Sequence, residues 1–306
     1  MLVRWKEKCY AFKLRMSALT GEAEGNASAT LGLSSVRPLL LPSAILLALI
    51  VILFGAALAD MAHDWWVEPA WSQGLLLPPL ALYVAWLRRN VTLAVPAVPD
   101  GRGMLITAFA CFVFLAGQIA SEFFLMRISF VFLLVGLIWT FWGLGRLRTL
   151  VFPLLLLAAM VPLPVMVYNS LAAPLQLLAS DFATRIAQAF GTAVYQEGNV
   201  LELANTSLGV AEACSGLNSL SALIVGSMLL GYTVCTGLPA RLMLFASAIP
   251  LAIAVNVLRV AGTAVLTDYN PIFALGFYHA FSGWLVFVAG FALLYGFARL
   301  LHRFAD

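Results

Sequence analysis

The chain has 306 residues and a net charge of +3, with 63% hydrophobic and only 10% charged residues. That leaves too little polar surface to cover a soluble globule of this size, which excludes a soluble protein and predicts an integral membrane protein. A small positive balance in such a chain reports topology, so no nucleic-acid partner is expected.

Residues 1–37 are polar and basic at the far end and rich in glycine, serine and alanine over 21–35, which predicts a mobile cytoplasmic arm touching lipid headgroups. Residues 38–306 then read as one transmembrane domain. A span needs about 20 apolar residues, and eight stretches fit or nearly fit: 39–58, 73–87, 104–121, 128–145, 149–168, 216–235, 240–266 and 280–299. The predicted fold is therefore an all-α polytopic bundle. Ala57-Leu58-Ala59 resembles a signal-peptidase site, but the apolar stretch before it is longer than a signal h-region and its leader overlong, so the first span is expected to be retained.

Lysine and arginine stay preferentially on the cytoplasmic side of short loops. With the amino terminus inside, fourteen of the seventeen cations fall there, including Arg88, Arg89, Arg102, Arg146, Arg148, Arg241, Arg299 and Arg303. Arg127, Arg185 and Arg259 are left outside or in the outer half. Asp60, Asp64, Glu68, Glu197, Glu202 and Asp268 fall outside too. Both termini are expected in the cytoplasm of a bacterium, in its inner membrane.

The longest outer segment, 169–215, should carry structure of its own. Leu175, Leu178, Phe182, Ile186 and Ala189 recur at three- and four-residue steps, which predicts an amphipathic helix at the interface. After Gly191, Val200 and Glu202 alternate with Leu201 and Leu203, and Asn205-Thr206-Ser207 makes a turn, which predicts a short β-hairpin leading into Cys214.

Cys214 is the only cysteine this topology puts outside the membrane. Cys9 is cytoplasmic, Cys111 lies within the third span, and Cys235 ends the sixth about 31 Å from Cys214 along a helix. No disulfide partner is available. Cys214 sits in Glu212-Ala213-Cys214-Ser215-Gly216, where a helix beginning near Ser215 would offer its positive end and unpaired N–H groups to a thiolate. The N–H groups of Ser215 and Gly216 could also receive a developing oxyanion. Arg259 lies about 12 Å inside the outer end of the seventh span, on one face with Asn256 and Thr263, and a charge at membrane depth needs a reason. His279 opens the eighth span at the same side, with an ordinary pKa of about 6.5 that suits proton transfer. His63 and His302 lack such company. The plainer alternatives are a cysteine packed as a small hydrophobe, an arginine that snorkels or ties helices, and an ordinary interfacial histidine.

Glu212-Ala213-Cys214-Ser215-Gly216, then Asn256-Val257-Leu258-Arg259-Val260, then His279 four residues before Gly283, resemble the exosortase and archaeosortase family. The basic inner loops and Trp71-Ser72-Gln73-Gly74 at the start of the second span resemble it too, with glutamine where many members have histidine. The resemblance implies a catalytic set of Cys214, Arg259 and His279, and position alone makes Ser215, Gly216, Asn256 and Glu212 the expected supporting residues. It implies cleavage of exported proteins at a carboxy-terminal sorting signal: a Pro-Glu-Pro-like motif, an apolar helix and a basic cluster. The partners would be that signal helix, membrane lipid and an acceptor of unknown identity, with no cofactor and no metal. Processed proteins of such systems are associated with exopolysaccharide.

Two other classes account for parts of the sequence. A transporter would explain eight spans and a buried arginine, although no internal repeat is visible. A non-catalytic partner in exopolysaccharide export would be indifferent to substitution of Cys214, Arg259 and His279. A metal-dependent intramembrane protease is disfavoured by three histidines without a His-Glu-x-x-His pattern.

Overall fold

The computed structural model describes residues 37–68, 70–204, 206–210, 217–274 and 276–305. The predicted arm, 1–37, lies outside them save for its last residue. The helices are α1 (Arg37–Val67), α2 (Leu77–Leu87), α3 (Arg89–Ala94), α4 (Gly103–Ala120), α5 (Phe123–Ala159), α6 (Val165–Ala189), α7 (Leu217–Thr233), α8 (Leu238–Tyr269) and α9 (Gly276–Ala305). Between α6 and α7 come strands β1 (Val194–Glu197), β2 (Val200–Leu203) and β3 (Ser207–Gly209). The chain divides between Leu53 and Phe54, inside α1, into two units, and the strands, pockets and site residues described below belong to the second.

Among the described residues five helices are long and apolar enough to cross a membrane, and 72–87 and 219–233 are shorter apolar helices. The chain is a multi-pass membrane protein by that measure. Eight separate spans are not what helix length alone returns, and α5 supplies one reason. It is 37 residues long, about 55 Å if straight, yet Phe123 and Arg127 near its start and Pro162, just past its end, line one pocket. It folds back at Gly143, whose φ of 80° and ψ of 168° are open essentially to glycine alone. The predicted fourth and fifth spans are the two arms. The sequence reading put their boundary at 146–148, because arginines mark a loop; the bend sits three residues earlier, where the missing Cβ leaves room for the Val98 carbonyl.

The bend is tied to the loop before α4. Arg146 Nε donates to the Val95 carbonyl at 2.9 Å, and Trp139 Nε1 donates to Asp100 Oδ2 at 3.1 Å. The Arg102 backbone N–H bonds Asp100 Oδ1 at 3.0 Å and holds that carboxyl below the ordinary carboxylate range, aided by Trp139 and opposed by slight burial.

Three predicted boundaries move. The first span continues through Val67 rather than ending at 58, so Asp60 and Asp64 stand on a helix and not in a loop. The fifth ends at Ala159 rather than 168, where Pro162 and Pro164 break the ladder and α6 begins afresh at Val165. The predicted hairpin is a three-stranded antiparallel meander in the order β1-β2-β3, the extra turn falling at Gly198-Asn199 with Gly198 at φ 61°. Leu201 and Leu203 point inward and Glu202 outward, as the alternation requires. Asn205, in the predicted turn, lies outside the described residues.

A meander so small needs something to bury against. Leu201, Leu203 and Val210 pack with Ala183 and Ala187 of α6 and Val260, Ala261 and Ala264 of α8 in one buried cluster. The apolar stripe predicted to define α6 is largely on the outside, with Leu178 and Phe182 exposed, and the helix packs instead through its alanines. Small residues let helix backbones approach closely, which is what holds helices together where no water drives them. At 32 residues α8 is about 48 Å long, more than the roughly 30 Å of a hydrocarbon core. Its first half packs with α7 and α9 through Leu244, Ala248, Leu223 and Leu294.

Candidate active site

Asn256 and Arg259 come from the second half of α8. Asn256 is buried, and Arg259 is half-buried. Thr263 Oγ1 donates to the Arg259 carbonyl at 2.9 Å, four residues along the same face. The guanidinium lies against α9 at Gly283, where an added Cβ would stand 3.0 Å from Nη2 and 3.1 Å from Cζ. Only a residue without a side chain admits the charge so close to a neighbouring helix.

Position 279 is on α9, four residues and so one helical turn before Gly283. The His279 side chain lies outside the described residues. Between α8 and α9 opens a pocket of about 390 Å³ lined by Arg259, Thr263, Tyr278, Phe281 and Ser282, among others. Around it Phe277, Tyr278, Phe281 and Trp284 are exposed, with the Phe277 and Phe281 rings stacked at 5.8 Å. Together these rings form an exposed aromatic strip at the start of α9.

Cys214, Glu212, Ser215 and Gly216 lie outside the described residues. The chain on either side of them is described. Val210, four residues before Cys214, is 1% exposed in the cluster that holds Val260, the neighbour of Arg259. On the other side α7 runs from Leu217. Arg241, early in α8, is 18 residues and about 27 Å from Arg259, and it packs near Tyr232 at the far end of α7. The start of α7, the end of α8 and the start of α9 therefore share one end of the bundle.

Two cysteines are among the described residues. Cys235 is 3% exposed and burial raises its thiol pKa, against a smaller opposing pull from Arg241. Cys111 is half-buried within α4.

A second polar constellation escaped the sequence reading. Arg127 is 7% exposed by side chain and pairs with Asp64 at 2.6 Å. Together with Asp60, His63, Glu122 and Trp71 they line an open pocket of about 710 Å³ that Pro162, Leu163 and Pro164 also border. His63, expected to stand alone, thus shares a cavity with three carboxylates and an arginine. The signal was available: an arginine in the outer half of a span requires a counter-charge. Among the described residues no group of histidine, cysteine or carboxylate side chains has metal-binding geometry.

No curated protein and no solved structure matches the chain at a significant level. The family model described as transmembrane exosortase matches residues 65–296, which take in α2 to α8, most of α9 and all seven of the site positions considered above. The chain belongs to the transmembrane exosortase family.

Proposed function

We propose that this protein is a cysteine peptidase or transpeptidase of the bacterial inner membrane, cleaving exported proteins at a carboxy-terminal, Pro-Glu-Pro-type sorting signal on the periplasmic side. The observation that carries the reading is the seating of Arg259 against Gly283, one turn from position 279, in a chain whose family membership supplies the reaction class.

The substrate's apolar helix docks in the bilayer, and that tether raises the effective concentration of the peptide just above it. His279 takes the Cys214 thiol proton, and the thiolate attacks the scissile carbonyl. Negative charge moves to the carbonyl oxygen, which Arg259 and the Ser215 and Gly216 N–H groups stabilise. Collapse breaks the C–N bond, His279 returns its proton to the leaving amine, and a thioester on Cys214 remains. Water or an acceptor amine then attacks that thioester and releases the thiol. Asn256, buried one turn below Arg259, positions the arginine, and Glu212 orients the segment before the nucleophile.

Co-expression with a tagged substrate carrying such a signal, followed by mass spectrometry of the new carboxy terminus, tests the reading. Wild type should yield one defined terminus and Cys214→Ala none, while both insert equally. Processing by the alanine variant removes Cys214 as nucleophile.

A further inference from the structure

The end of the bundle remote from Arg259 gathers two arginines about one tyrosine. Arg88, at the end of α2, has its Cζ 5.0 Å from the centre of the Tyr232 ring, and Arg241 of α8 has its Cζ 5.9 Å from the same point. Both distances refer to one ring, so the two guanidiniums stand within about 11 Å of each other. Phe152 stacks on Tyr232 at 3.9 Å with the planes 3° apart and covers one face. The arginines are left to gather about the rest of the ring.

Both are held in place by carbonyls. Arg88 Nη1 donates to the Thr149 carbonyl at 2.9 Å, and Arg241 Nε donates to the Cys235 carbonyl at 3.4 Å. A guanidinium has five N–H donors, so most of them remain for a ligand. Among the described residues neither arginine forms an ion pair, since the two ion pairs lie at Arg127–Asp64 and Arg185–Asp181. Asp100, in the loop before α4, is engaged by Arg102 and Trp139. Two fixed like charges repel unless an anion comes between them, and a planar fork of donors suits a phosphate best.

We infer that Arg88 and Arg241, organised about Tyr232, bind the phosphate of an anionic phospholipid in the leaflet at this end of the bundle. A lipid fits better than free phosphate because the arginines are flanked by exposed apolar side chains, Trp86 and Leu87 beside Arg88 and Leu238 and Leu242 beside Arg241, along which acyl chains can lie. Charge alone is not the criterion: Arg299 and Arg303 belong to the same end without sharing this ring. The inference is independent of the chemistry proposed above.

The full chain, purified in a zwitterionic detergent, is titrated with phosphatidylglycerol, with phosphatidylcholine of the same chains and with inorganic phosphate, and its thermal midpoint is followed. Phosphatidylglycerol should raise the midpoint by several degrees and the other two should not. Arg88→Gln with Arg241→Gln should abolish the shift, and Arg299→Gln with Arg303→Gln should keep it. If the first pair folds poorly, Arg241→Gln alone, at an exposed side chain, should at least halve the shift. A shift retained without Arg88 and Arg241, lost equally without Arg299 and Arg303, or reproduced by inorganic phosphate overturns the inference.

Discussion

Arg259 and Gly283 face each other so closely that a methyl group on the glycine would stand 3.0 Å from the arginine's Nη2. The contact fixes the guanidinium between two helices, one turn from position 279. Gly283→Ala asks the tip of a flexible side chain to give by a few tenths of an ångström, whereas Gly283→Val asks it to leave. Misplacing a reacting group by about 1 Å costs on the order of 100-fold in rate. Alanine should therefore lower processing by less than about 10-fold and valine by about 100-fold, with little change in thermal midpoint for either. Equal activity in both variants would separate the contact from the chemistry.

The charge of Arg259 is not the whole of its expected use. Lysine keeps the charge, loses the planar fork and reaches a different point. Removing one donor to an oxyanion costs about 100- to 1,000-fold in rate, and Arg259→Lys should lose activity on that scale in the terminus-mapping assay. Normal cleavage would leave the arginine a tie between α8 and α9.

The fold-back of α5 rests on Gly143. A side chain there meets both a backbone region open essentially to glycine, costing about 1–3 kcal/mol, and the Val98 carbonyl. Gly143→Ala should lower the thermal midpoint more than the same change at Gly262, where an added Cβ meets nothing within 4 Å. Comparable midpoints for the two variants would mean that the bend tolerates a side chain.

What the sequence revealed followed the strength of each signal. Apolar runs located the helices because they depend on composition over many residues, while several ends moved, to Val67, Gly143 and Ala159, and Leu201 and Leu203 betrayed their strand by simple alternation. The fold-back sits at a single glycine, Gly143, three residues before Arg146, and the charged residues rather than the glycine drew the predicted boundary. The alanine face by which α6 packs, through Ala183 and Ala187, was not legible, because leucines signal an apolar stripe more loudly than the small residues that let helices touch. Arg259 was legible as a charge in the outer half of a span, whereas Cys214 and the His279 side chain lie outside the described residues. The Arg259–Gly283 contact was not legible, because a glycine in a helix has several common explanations and only the neighbouring helix selects one.

The Arg127–Asp64 pair is asymmetric, with the arginine 7% and the carboxylate 36% exposed. Breaking a buried pair costs about 3–5 kcal/mol because of the charge left behind, and the two single substitutions leave different charges behind. Asp64→Asn strands the buried guanidinium, while Arg127→Met strands a carboxylate that water already reaches. Asp64→Asn should thus destabilise more, toward the low end of that range, and adding Arg127→Met to it should recover part of the loss. Thermal midpoints of the two single variants and the double variant form the test, and additive losses would show the two charges to be uncoupled.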